Sequence, residues 1–325
     1  MEEELKRFIQ VWLSAIVSVC YCYYIPPRIK AGAPRFFSIL PVCVQFFVFP
    51  WLFSSSVSIV IIMVFLTLMG SQKLILFAFD KGPLFPLPSN LLHFICFTCF
   101  PIEKLQQNPK SQSSPTKWNF AIKCALLGVL LHVLKYKQNL PSILFWVLQP
   151  FYMYLPLEIT LTLIKSLFTI ILGCELKPVF DEPYLATSLQ DFWGRRWNPM
   201  VSSILSSLIY APIQGMFNGN SSLAKFVGVF TTFLASGLFH ELLFLCTSGA
   251  PPSGEVTLFY VLHGVCTAVE VTVKRSTFGR RWAVRPVVSC FLTISFIVVT
   301  SVWLYFPQVT RGKTLQFLSS ASNLI

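Results

Sequence analysis

Charge is what this sequence has least of. Asp, Glu, Lys and Arg make up 12% of its 325 residues, against about 25% in ordinary soluble domains. No hydrophilic stretch is long enough to fold as a second unit. A single domain is therefore expected over residues 1–325, with its core motifs in 188–285. Strict alternation of apolar and polar residues is also missing, which excludes a transmembrane barrel. The signatures of several soluble enzyme classes are absent. There is no Gly-x-Ser-x-Gly elbow. There is no P-loop, no Rossmann glycine fingerprint and no His-Glu-x-x-His, since position 244 is Phe. None of the four histidines is followed by Asp four or five residues later, which removes the His-x-x-x-Asp acyltransferases. The ten cysteines are scattered singly apart from Cys96-Phe97-Thr98-Cys99. That pair has no second pair, and zinc takes four ligands or three plus water. No metal site is expected, and the thiols read as small hydrophobes. A cleavable leader is not expected either. The first apolar run lacks a small-residue cleavage site and ends in Tyr23-Tyr24-Ile25-Pro26-Pro27.

What the chain does have is apolar length. Hydrophobic residues make up 54%, several in runs long enough, or nearly so, to cross a bilayer. The fold class expected is all-α: a polytopic transmembrane helical bundle of roughly eight to nine spans plus interfacial helices. The spans are read at 8–25, 36–52, 56–69, 120–134, 142–155, 157–172, 223–246, 258–273 and 286–306. The pair at 142–172 is either two spans or one helix broken at Pro150 and Pro156. Residues 91–100 are too short to span and read as a re-entrant or interfacial piece. Glu158 and Lys165 stand seven apart on one face. They form a buried ion pair or a polar lining, or else an interfacial Glu and a snorkelling Lys.

The net charge of +12 sits in short loops, as the positive-inside rule expects. It reads as a membrane signal, not a nucleic-acid one. Lys274, Arg275, Arg280, Arg281 and Arg285 suit topology determination, anionic headgroups or a phosphorylated cosubstrate. Both this loop and Arg195-Arg196 read as cytosolic, and three full spans between them would put them on opposite faces. Residues 200–213, with four serines in eight positions, are therefore expected to lie in the interface.

Two segments carry chemistry. Ser236-Gly237-Leu238-Phe239-His240-Glu241 lies inside a long apolar run. A histidine at membrane depth is costly and is a functional candidate by default. Ser236 and Gly237 stand one turn before it and leave a groove beside the ring. A neutral imidazole can act as a general base at neutral pH; a hydrogen bond to a neighbouring helix is the alternative reading. His263, Thr267 and Glu270 form one stripe of the next span, which could line the same cavity, orient His240 or make a polar seam. The second segment is Phe192-Trp193-Gly194-Arg195-Arg196-Trp197-Asn198. Trp193 and Trp197 share a helix face, Arg195 and Arg196 are phosphate ligands by chemistry, and Asn198 offers both a donor and an acceptor. An aromatic belt with charge anchors is the alternative there.

Taken together, the chain resembles the plant wax synthases, long-chain-alcohol O-fatty-acyltransferases of the membrane-bound O-acyltransferase superfamily. The segment ending in Asn198 resembles the Phe-Tyr-x-Asp-Trp-Trp-Asn motif of the neutral-lipid branch, with Arg195 and Arg196 in place of its Asp and Trp. The His240 segment, His263-Gly264 with Glu270, and residues 77–101 with Lys81-Gly82-Pro83-Leu84 are similar to the family's further signatures. The resemblance implies a bundle enclosing a catalytic tunnel in the endoplasmic reticulum membrane. It implies acyl transfer from acyl-CoA to a long-chain fatty alcohol, or by the same chemistry to a sterol. His240 and Asn198 are the catalytic residues implied. Trp193, Arg195, Arg196, Trp197, Ser236, Gly237, His263 and Glu270 are implied for substrate binding. No cofactor is implied beyond acyl-CoA as cosubstrate. The partners expected are membrane lipids and further copies of the chain as a homo-oligomer. A transporter or lipid scaffold is the alternative from another class.

Overall fold

The computed structural model describes residues 2–53, 62–105, 117–217, 221–249, 251–276 and 285–311. Residues 56–61 of the third expected span, and Arg280 and Arg281 of the basic loop, lie outside these. The regular secondary structure of the described residues is helical, with two isolated bridges, Lys104 to Leu176 and Phe180 to Trp197.

Eleven helical elements are used below. They are α1 Glu2–Tyr24, α2 Ala33–Val48, α3 Ile62–Ala78, α4 Leu91–Cys99, α5 Lys117–Lys135 and α6 Ser142–Leu172. Next come α7 Leu189–Asp191, running into a π turn at Phe192–Arg196, and α8, built from Pro199–Leu205, a π turn at Ser206–Tyr210 and Ala211–Met216. Then follow α9 Ser222–Ser248, α10 Glu255–Arg275 and α11 Pro286–Thr300, which continues through a π turn at Ser301–Tyr305.

Six helices among the described residues are long and apolar enough to cross a membrane: α1, α2, α6, α9, α10 and α11. The expected eight or nine spans include residues 56–69, of which only 62–69 are described. Residues 142–172 form one helix of 31 residues that passes through Pro150 and Pro156. Each proline deletes one backbone donor, a loss that neighbouring helices make tolerable within a membrane. α5 carries Lys123 in mid-helix. α3 is apolar over its described residues, Ile62–Ala78. Leu91–Cys99 is short, as expected, and capped by Asn90 accepting from the Leu92 amide at 2.8 Å.

The N-terminal core packs α1 to α4 around Phe46, Phe77 and Phe94. Cys96 and Cys99 are buried in it as small apolar side chains. At its edge the fully buried Lys73 donates to the carbonyls of Phe97, Phe100 and Ile102 at 2.6, 2.7 and 3.3 Å. Three ammonium protons meet three carbonyls, one of which, that of Phe100, also accepts from the Ile102 amide at 2.8 Å, and this pins the end of α4. The buried Glu158 pairs with the half-buried Lys123 of α5 at 2.5 Å. Lys165 is therefore not its partner: a contact made across two helices replaces one read along a single face.

Candidate active site

Helices from both halves of the chain surround a cavity of about 1840 Å³, well beyond the roughly 300–1,000 Å³ of ordinary ligand pockets. Its wall is mostly apolar and aromatic, with side chains from α3, α5, α6, α8, α9, α10 and α11. Lining residues run along α9 from Ser222 and Lys225 to Thr247. At 1.5 Å per residue that is about 37 Å, more than the roughly 30 Å of a bilayer's hydrocarbon core.

α9 and α10 cross very closely because two glycines allow it. A Cβ at Gly237 would sit 2.8 Å from the Thr257 Cα, and one at Gly264 would sit 2.7 Å from the Phe233 Cβ. Gly237 thus serves helix contact and does not face the cavity. Glu241 accepts from the Thr257 amide at 3.2 Å and fastens the start of α10. The crossing sets His240 of α9 against Tyr260 of α10, ring centroids 4.5 Å apart.

His240 lines the cavity with one ring edge occupied on each side. Its Nδ1 lies 2.8 Å from the Ser236 carbonyl and its Nε2 lies 2.9 Å from the Tyr260 hydroxyl. A carbonyl can only accept, so Nδ1 carries the proton and the neutral ring presents its lone pair at Nε2. Tyr260 O–H donates to that lone pair.

His263 is placed differently. It is 0% exposed and does not line the cavity. Trp193 Nε1–H donates to His263 Nδ1 at 3.0 Å, and His263 Nε2–H donates to Thr300 Oγ1 at 2.8 Å. The Thr300 hydroxyl donates in turn to the Phe296 carbonyl at 2.7 Å. With both nitrogens committed and Phe259, Trp193 and Phe296 packed round the ring, His263 ties α7, α10 and α11 together. Expected as a substrate contact, it is found one layer behind the wall.

The aromatic segment forms part of the cavity wall. Trp193, Trp197 and Asn198 line it, while Arg195 and Arg196 do not. Trp197 stacks on Phe192 at 5.4 Å and meets Phe180 edge-on at 5.0 Å. Asn198 adopts a left-handed backbone, φ 47°, which Asn tolerates better than most residues. Its Oδ1 caps α8 by accepting from the Val201 amide at 3.3 Å, which leaves the Nδ2 donors without a protein partner among the described residues. Ser202, one of the four serines read as interfacial, turns inwards: it lines the cavity and donates to the Trp193 carbonyl.

The two arginines, expected to hold phosphate, are committed to Asp191. Arg195 Nε donates to Oδ1 at 2.8 Å, and Arg196 Nε donates to Oδ2 at 2.8 Å. Arg196 also reaches the carbonyls of Asp181 and Glu182. Glu270 is not on the wall either. It accepts from the Leu189 amide at 2.8 Å and pairs with Lys274 at 2.5 Å, docking α7 on α10. Burial pushes the Asp191 carboxyl up, but hydrogen bonds from Arg196 and Arg195 outweigh this and hold it below the usual carboxylate range. A depressed carboxylate stabilises the fold above its unfolded pKa and loses that contribution as pH falls through the folded value. Asp191→Asn is therefore expected to lower the thermal midpoint at pH 7, at a cost of about 1–3 kcal/mol. Melting curves in detergent should show the gap from wild type closing once the pH drops below about 4.

The sequence reading missed Tyr260, Asp191 and Lys225. Tyr260 stands three residues before His263, so the stripe of His263, Thr267 and Glu270 extends to it. Asp191 stands four before Arg195, a helical pairing distance. Lys225 lines the cavity at the first turn of α9 and has no ion-pair partner among the described residues.

Comparison with known proteins places this architecture. The model of the membrane-bound O-acyl transferase family matches residues 176–262, which contain both Asn198 and His240. The class is thus a multi-pass membrane acyltransferase. The chain is 52% identical to "Probable long-chain-alcohol O-fatty-acyltransferase 7" of Arabidopsis thaliana, over 100% of this chain and 96% of that one. It is 51% identical to "Probable long-chain-alcohol O-fatty-acyltransferase 8" over the same shares, and 53% identical to "Probable long-chain-alcohol O-fatty-acyltransferase 9" over 97% and 94%, both from the same plant. The chain belongs to the long-chain-alcohol O-fatty-acyltransferase, or wax synthase, family of membrane-bound O-acyltransferases.

Proposed function

We propose that the protein transfers a long-chain acyl group from acyl-CoA to a long-chain fatty alcohol, giving a wax ester and free CoA, in the endoplasmic reticulum membrane. The observation that carries this reading is a neutral histidine with its Nε2 lone pair at the wall of a long apolar cavity. The relatives' names support the alcohol acceptor.

In this reaction His240 Nε2 gains a proton as the alcohol oxygen loses its own and attacks the thioester carbonyl. Asn198 Nδ2 is the free donor available to the developing oxyanion. The apolar wall receives both chains and keeps water from competing as nucleophile. Labelled palmitoyl-CoA supplied to microsomes expressing the chain, with hexadecanol, a sterol or diacylglycerol as acceptor, tests the reading. Labelled wax ester with hexadecanol alone is the expected product. Preference for the sterol would move the acceptor, and no ester with any of the three would end the proposal.

The donor class has its own support. Since Arg195, Arg196, Lys274 and the cavity-lining Lys123 are all paired, Lys225 is the unpaired cation on the cavity wall among the described residues, and it is offered to a polyphosphate. It lies 15 residues from His240 along α9, about 22 Å, within reach of an extended pantetheine arm plus a lysine side chain. Lys225→Ala is expected to raise KM for palmitoyl-CoA roughly tenfold, about 1.4 kcal/mol, with kcat little changed. S-palmitoyl-pantetheine, which lacks the phosphates, should show no such change.

A further inference from the structure

We propose that the Tyr260 hydroxyl takes the acceptor's proton and passes its own to His240, so that the group meeting the alcohol is the tyrosine. This rests on the reading of His240 as general base and assigns the route by which the proton reaches it.

Geometry is the argument. The Nε2 lone pair is single, lies in the ring plane and is already filled by Tyr260 O–H at 2.9 Å. An alcohol entering from the cavity can reach Nε2 directly only by displacing that bond. Displacement is resisted by packing. Tyr260 is 4% exposed, and its ring is held edge-on by Phe259 at 5.2 Å and Tyr305 at 6.5 Å, with His240 on its face. Tyr260 nonetheless lines the cavity, and a phenolic oxygen that donates one bond still has lone pairs to accept another. An acceptor hydroxyl can therefore bind Oη while Oη keeps its bond to His240.

A phenol of ordinary pKa near 10 does not ionise by itself at neutral pH, so the oxygen must give up one proton as it gains another. The acceptor O–H bond breaks and its proton joins Tyr260 Oη. The original Tyr260 proton moves to His240 Nε2, giving an imidazolium. The acceptor oxygen's electron pair forms the bond to the thioester carbon, and the C=O pair moves onto its oxygen. On collapse the C=O bond re-forms and C–S breaks, the pair leaving with sulfur. A proton returning along the same path, from Nε2 to Oη and from Oη to sulfur, releases the CoA thiol and resets both side chains. Nδ1–H stays on the Ser236 carbonyl throughout, which holds the ring in place while its other edge changes state.

The test uses the full-length protein with palmitoyl-CoA and two acceptors, hexadecanol and hexadecanethiol. A thiol surrenders its proton far more readily than an alcohol, so it needs the relay much less. Tyr260→Phe is expected to lower kcat with hexadecanol on the order of 10²-fold or more, with KM little changed. Its defect with hexadecanethiol should shrink to a few-fold. Tyr260→Phe combined with His240→Ala should be no slower than His240→Ala alone, as groups acting in one path behave. An equal loss with both acceptors would make Tyr260 an oxyanion donor or a structural prop and overturn the relay. Additive losses, or no loss, would overturn it as well. If Tyr260→Phe fails to accumulate, a fluorotyrosine at position 260 replaces it: a displaced pH–rate profile supports the relay and an unmoved one overturns it. Failure of the underlying reading looks different, since His240→Ala would then stay active or the wild type would make no ester.

Discussion

His240→Ala is expected to abolish ester formation in microsomes while the protein accumulates to its normal level. Removing a positioned base typically costs on the order of 10² to 10⁴ in rate. The substitution should leave the fold intact, because His240 is half-buried and faces a cavity. What it gives up is a bond to the Ser236 carbonyl, which remains part of the helix, and one from the Tyr260 hydroxyl. The neighbouring histidine offers no substitute. His263 is fully buried, its two nitrogens bonded to Trp193 and Thr300. His263→Ala is thus expected to lower stability as well as rate, by unfastening α7 from α10. Comparing thermal midpoints with rates for the two variants separates them: a stable, inactive His240→Ala beside a destabilised His263→Ala. An active His240→Ala would remove the proposed base.

The difference between the two histidines was not legible from spacing. Both lie in apolar runs and both have small residues nearby. What separates them is the partner each meets across helices: a cavity and a tyrosine for His240, an indole and a threonine for His263. Local pattern did reveal the helical membrane architecture, the stop at Pro26-Pro27, the short helix before residue 100 and the closeness of Trp193 and Trp197. It failed where the determining contact crosses between helices, or where a nearer partner was passed over. Glu158 was read against Lys165 on its own helix and is held instead by Lys123. Arg195 and Arg196 were read as phosphate ligands because two adjacent cations suit an anion. The anion turned out to be Asp191, one turn away. Tyr260 escaped because an aromatic residue in an apolar run reads as core, and only the approach permitted by Gly237 and Gly264 brings its hydroxyl to the imidazole.

Asn198 is where structure and chemistry must be separated by choice of substitution. Asn198→Ala removes three things at once: the cap on Val201, a residue that tolerates φ 47°, and the Nδ2 donors. The cap alone is worth about 1 kcal/mol, and a non-glycine residue forced into the left-handed region adds a cost of similar order. A slow Asn198→Ala would therefore be uninformative by itself. Asn198→Asp keeps the capping oxygen and the left-handed preference while replacing the donors with a second acceptor. It is expected to melt near wild type and to lose on the order of 10² to 10³ in kcat, the range for removing one donor to a developing oxyanion. Asn198→Gly supplies the opposite case, since it suits the backbone but has neither cap nor donor. It should be as slow as Asn198→Asp and measurably less stable. Full activity in Asn198→Asp would confine the side chain to its capping role and leave the oxyanion to another donor on the cavity wall, such as the Ser206 hydroxyl.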